Sequence, residues 1–135
     1  MKTIAQARTV AGSENYRQDI QTKHFTLVAD EPESAGGQNA GPAPYDYLLA
    51  SLGACTAMTL QMYAERKNWV LQGLRVDLEL LKSPDGETHI QRVLHCDSPL
   101  ESAQWDKLID IAGKTPVTKT LLTGAQINTR RGSPD

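Results

Sequence analysis

The chain has 135 residues, 39% of them hydrophobic and 22% charged, with a formal net charge of -2. That length favours one domain, residues 1–135, with a modest core, and the composition is that of an ordinary globular protein. No long basic run is present, which argues against nucleic acid as a partner, because phosphate neutralisation needs clustered Lys and Arg.

Two cysteines, Cys55 and Cys96, are too few for a disulfide framework. The first twenty residues lack the apolar stretch of a signal peptide, so the default compartment is the cytoplasm, with thiols reduced. With one Phe, the core must lean on Leu, Ile, Val, Ala and Met.

In chain order, the stretches "TIAQARTV", "YRQDIQ" and "HFTLVA" lean towards β-structure. Residues 31–44, "EPESAGGQNAGPAP", form a polar Gly/Pro-rich loop of a length that is often functional. Pro44 suits a first helical turn, and a helix is predicted to about Lys67, with Asp46 at its positive end and Arg66 and Lys67 at its negative end. From Tyr47 to Ala64 it carries no charge, and about 18 uncharged residues is the lower limit for spanning a bilayer. Ser51, Gly53, Thr56, Thr59 and Gln61 interrupt it, and a helix apolar nearly all round is equally the buried helix of a globular protein, so no membrane partner is expected.

"GLRVDLELLK" alternates, with Leu74, Val76, Leu78 and Leu80 on one face, and "SPDG" is a turn. "THIQRVLHCD" alternates less cleanly and is the expected hairpin partner. "SPLESAQWDKLIDIAGK" reads as an amphipathic helix with Trp105, Leu108, Ile109, Ile111 and Ala112 on its apolar side and Gly113 as its stop. "TPVTKTLLTG" reads as a short helix with Thr115 as N-cap and Pro116 first inside it. "AQINTRR" is a candidate closing strand and "GSPD" a polar tail. Hairpin-paired strands and segregated helices make an α+β fold.

"GPAPYDYLLASLGACTAMTLQMYAERKNW" resembles the central-helix signature of the OsmC family of osmotically inducible and organic hydroperoxide resistance proteins. "IAGKTPVTKTL" resembles its second signature, where Cys-Pro-Val normally opens a helix, and "YRQDI" and "LVADEP…GG…GP" resemble its N-terminal portion. The resemblance implies antiparallel sheets around a long buried central helix, in an intertwined homodimer. It implies a cysteine-based peroxidase for organic hydroperoxides, reduced by an external dithiol, with no metal or organic cofactor.

A thiol peroxidase needs a thiolate nucleophile, a cation beside it, and a thiol that resolves the sulfenic acid. By resemblance, Cys55 is the attacking cysteine; the residue types alone favour an inert core thiol, the usual fate of a buried cysteine. The resolving position is Thr115, which can cap a helix but cannot form a disulfide, so the cycle becomes a one-cysteine one; Cys96, on a strand, is expected to be structural. The family pairs an N-terminal Arg with a Glu ten residues before the attacking cysteine. Arg17 is the candidate cation, alternatively a solvated strand charge. Tyr45 stands at the Glu position, and Asp46 follows it. On a straight helix nine residues rise about 13.5 Å, so Asp46 reaches Cys55 only if the helix starts later or across a dimer interface; otherwise it is a helix-start charge. His24, His89 and His95 have no metal-ligand spacing.

Ala50, Gly53, Ala54 and Ala57 recur at three- or four-residue spacing and let another backbone come close. A narrow apolar cleft beside Cys55, lined by Leu52, Met58 and Met62, would suit a small organic hydroperoxide. The loss of the resolving cysteine and the Tyr45 departure keep open an OsmC-like homodimer that binds a small apolar ligand without peroxidase activity. A purely structural interaction protein is a third possibility.

Overall fold

The N-terminal strands β1 (Arg8–Ala11), β2 (Gln18–Thr22) and β3 (Phe25–Ala29) form an antiparallel sheet in the order 1-2-3, with Thr9 opposite Ile20 and Ile20 opposite Leu27. The computed structural model describes residues 1–133. The chain divides into two units, Met1–Ala50 and the residues from Ser51 onward. The two-residue turn between β2 and β3 places Lys23 at φ 54°, the left-handed conformation that matches the twist of a tight hairpin. One face of this sheet, with Ile20, Leu27 and Ala29, lines an open apolar groove together with Pro44 and Tyr47.

The polar loop that follows is folded around one carboxylate. Asp30 is only 2% exposed, and it accepts the N–H groups of Glu31 (2.8 Å), Gln38 (3.2 Å) and Ala40 (3.1 Å). Those backbone bonds, Ala40's above all, hold its carboxyl below the usual aspartate range against the opposing effect of burial. A Cβ at Gly41 would collide with the carbonyl of Val28, so the loop can lie against β3 only with glycine there. A short 3-10 turn, Glu33–Ala35, sits inside the loop, and the sequence did not announce it.

The helix α1 spans Pro44–Lys67, with Asp46 in its first turn and Arg66 and Lys67 in its last. Its buried residues are Leu52, Thr56, Leu60 and Ala64, an i, i+4 stripe along one side. Met58 and Met62 are exposed. Asn68, at φ 57°, ends it, and the Trp69 N–H returns to the Ala64 carbonyl.

In the second unit β4 (Arg75–Lys82) and β5 (Thr88–His95) make an antiparallel hairpin, with Val76 opposite Leu94, Leu78 opposite Arg92 and Leu80 opposite Ile90. These six positions are half-buried and most of their neighbours exposed, so one face of the ribbon is turned inward. The helix α2 (Ser102–Ala112) opens with a capping box between Glu101 and Gln104 and stops at Gly113. It buries Leu108 and Ala112, whereas Ile109, expected on its apolar side, is exposed. The helix α3 (Pro116–Thr123) is capped by Thr115 with Pro116 in its first turn.

The closing strand expected over 125–131 does not form: this stretch is irregular and Ile127 is exposed, and among the described residues no strand pairs with it to complete a ladder. The tail expected at 132–135 lies partly outside the described residues. Among the described residues no helix is long and apolar enough to cross a membrane.

Candidate functional site

Cys55 is a free, half-buried thiol near the middle of α1. One residue on, Thr56 is fully buried and donates its hydroxyl hydrogen to the Leu52 carbonyl at 2.7 Å. Gly53 lies where a Cβ would stand 2.8 Å from Cδ1 of Leu78, so the small residue at this turn makes room for a β4 side chain.

The same ribbon delivers a cation. Arg92, on the inward face of β5 between Ile90 and Leu94, donates from Nη1 to Thr56 Oγ1 (2.9 Å) and Thr118 Oγ1 (2.9 Å), and from Nη2 to the Ala112 carbonyl (2.8 Å). Burial pushes the Arg92 guanidinium below its ordinary range, and Coulombic attraction to Cys55 acts in the opposite sense. Arginine nevertheless stays charged in proteins, so a positive charge lies within electrostatic reach of the Cys55 sulfur.

Thr115 is fully buried. Its Oγ1 accepts the Thr118 N–H at 3.2 Å and lies 2.7 Å from Thr118 Oγ1. Thr118 Oγ1 in turn donates to the Ala112 carbonyl at 3.1 Å. The segment around Thr115, the end of α2 and the middle of α1 are therefore tied together through Arg92 and neutral hydroxyls.

The other candidates occupy different places. Arg17 pairs with Asp19 at 3.2 Å in the N-terminal unit. Asp46 accepts the Ala43 N–H at 2.9 Å, a bond that closes the start of α1. Tyr45 is 53% exposed in the first turn. Leu52 belongs to the buried stripe of α1, while Met58 and Met62 follow Cys55 at i+3 and i+7 on the exposed side. Cys96 is half-buried and directs its thiol at the Gln72 carbonyl at 3.3 Å. His95 pairs with Asp77 across the ribbon at 3.0 Å. Among the described residues no group of three His, Cys, Asp or Glu could hold a metal ion.

Sequence reasoning missed Arg92. Its signal was phase: in "THIQRVLHCD" it falls on the same alternate positions as Ile90 and Leu94, a charge in an apolar series.

The sequence model of the OsmC-like protein family matches residues 36–130, which include Cys55, Arg92 and Thr115. The chain belongs to the OsmC-like family. Solved structures share its fold. An OsmC-like protein from Mycoplasma pneumoniae is 20% identical, with 90% of this chain and 89% of that one covered and a TM-score of 0.73. The organic hydroperoxide resistance protein OhrB of Bacillus subtilis is 20% identical over 87% of this chain and 90% of that one, with a TM-score of 0.61. The organic hydroperoxide resistance protein OsmC from Legionella pneumophila is 17% identical over 88% and 89%, with a TM-score of 0.65. No curated protein sequence matches significantly. The OsmC-like family and these neighbours agree with the α+β architecture of antiparallel sheets and helices.

Proposed function

We propose that this OsmC-like chain is a cytoplasmic one-cysteine peroxidase that reduces organic hydroperoxides through Cys55 and works as an intertwined homodimer. The observation that carries the reading is a free, half-buried Cys55 inside the family-matched segment, while the position of the resolving cysteine is a fully buried Thr115 committed to capping α3.

The Cys55 thiolate attacks the terminal oxygen of the hydroperoxide. An S–O bond forms as the O–O bond breaks, two electrons pass from sulfur to the peroxide, and the alkoxide leaves and takes a proton from water. Threonine at 115 offers no thiol, so an external dithiol resolves the sulfenic acid. Its first thiol forms a mixed disulfide with release of water, and its second displaces Cys55 as thiol. Met58 and Met62, beside Cys55 on the exposed side of α1, supply apolar surface for the organic portion of the peroxide. Exposed methionines on this helix and the open groove of the first sheet are the surfaces that support a dimer.

The test is intact-mass spectrometry of the reduced protein after brief exposure to cumene hydroperoxide with a sulfenic-acid trap, against hydrogen peroxide as control. Rapid trapping at Cys55, faster with the organic peroxide and absent in Cys55→Ser, is expected. An unmodified Cys55 would overturn the peroxidase reading.

A further inference from the structure

Arg92 brings a positive charge into the second unit without a carboxylate to meet it. Among the described residues it forms no ion pair with any Asp or Glu, although the half-buried Arg17 and the exposed Arg75 do. Buried or partly buried charges are normally paired. Here the partners are neutral oxygens, those of Thr56, Thr118 and Ala112.

The hydrogens of this cluster are fixed by its geometry. Thr56 gives its hydroxyl hydrogen to Leu52 and Thr118 gives its own to Ala112, so both oxygens face Arg92 with lone pairs. Thr115, beside Thr118, then donates to it and receives the Thr118 N–H. The cradle orients the guanidinium and leaves its charge uncancelled. Three of the five N–H donors of a guanidinium are used this way. The Nε–H and one Nη2–H have no acceptor among the described residues.

We propose that Arg92 is the charge partner of Cys55, held by its threonine cradle so that the anionic sulfur, and the negative charge that develops on peroxide oxygen, are the counterions this site otherwise lacks. The inference deepens the peroxidase reading and rests on it for the identity of the reaction. It assigns the cation to β5 rather than to Arg17, whose guanidinium is engaged with Asp19. Attraction between Arg92 and Cys55, which opposes the effect of burial on the guanidinium, agrees with it.

The experiment compares alkylation of Cys55 by iodoacetate and by iodoacetamide, two reagents of similar size that differ in charge. A guanidinium beside the sulfur favours the anionic reagent. The rate ratio at Cys55, read by peptide mass spectrometry, is expected to be roughly fivefold higher in the folded protein than in the urea-unfolded chain, the size of a partly screened contact between unit charges. Arg92→Met should return it to the unfolded value, and Arg92→Lys should keep it elevated. A folded wild-type ratio equal to that of the unfolded chain would overturn the assignment, and so would a folded Arg92→Met protein with the wild-type ratio. Should Arg92→Met not fold, the wild-type comparison decides alone. No peroxide is used, so failure of Cys55 to react with hydroperoxide and failure of the Arg92 assignment are separate results.

Discussion

Arg92 Nη1 donates to Thr56 Oγ1 at 2.9 Å, and Thr56 is the residue next to Cys55 on α1. A second hydroxyl, that of Thr118 on α3, accepts from the same nitrogen at 2.9 Å. Replacing either hydroxyl with a methyl group removes a lone pair from a charged donor that has no carboxylate to turn to. Thr118→Val is expected to destabilise the protein by about 1–3 kcal/mol, the usual cost of leaving a partly buried polar group short of a partner. Thr56→Val should cost a similar amount, and the double variant should depart from additivity because both act through one guanidinium. Urea denaturation of the three variants measures the coupling, and strictly additive losses would argue against a shared cradle.

Thr115 serves the fold whatever its place in the chemistry. Thr115→Ala removes the acceptor for the Thr118 N–H at the start of α3 and is expected to cost about 1 kcal/mol. Thr115→Ser keeps the oxygen and should lose much less. The urea midpoints of the two variants distinguish a capping role from simple volume loss.

Asp30 makes the loop before α1 sensitive to acid. Its carboxyl is held below its ordinary value of 3.8 chiefly by the Ala40 N–H, so the folded state favours the ionised form. The stabilisation is therefore complete above about pH 3.8 and is lost as pH falls through the lower folded value. Asp30→Asn should remove this acid dependence. At neutral pH it should also speed hydrogen exchange at the Gln38 and Ala40 amides, which donate to the carboxylate. Unchanged exchange at both amides would show that the loop does not depend on this side chain.

Leu60 lies on the buried stripe of α1 and is fully enclosed. Leu60→Ala is expected to cost about 2–5 kcal/mol, as large-to-small changes in tight cores do. Met58→Asp and Met62→Asp, on the exposed side of the helix, should leave the fold of the chain intact and shift the particle mass in light scattering from dimer to monomer. A monomeric wild-type protein would end the dimer proposal directly.

The extent of α1 was written in the sequence, because Pro44, the charges at both ends and the apolar run between them are local signals, and local signals decide where a helix begins and ends. The same holds for β4, whose alternation is clean, and for the start of α3, where Thr115 and Pro116 act on their immediate neighbours. Cys55 could be located on its helix by the same means, but nothing nearby in the chain says what faces it. That was decided by tertiary structure. Arg92 reaches its three partners across separations of 36, 26 and 20 residues. The only local trace of this arrangement is a charge in the apolar phase of β5. A strand's alternation fixes which way a side chain points, whereas the oxygens it meets are set by the packing of a ribbon and three helices brought together only when the chain has folded.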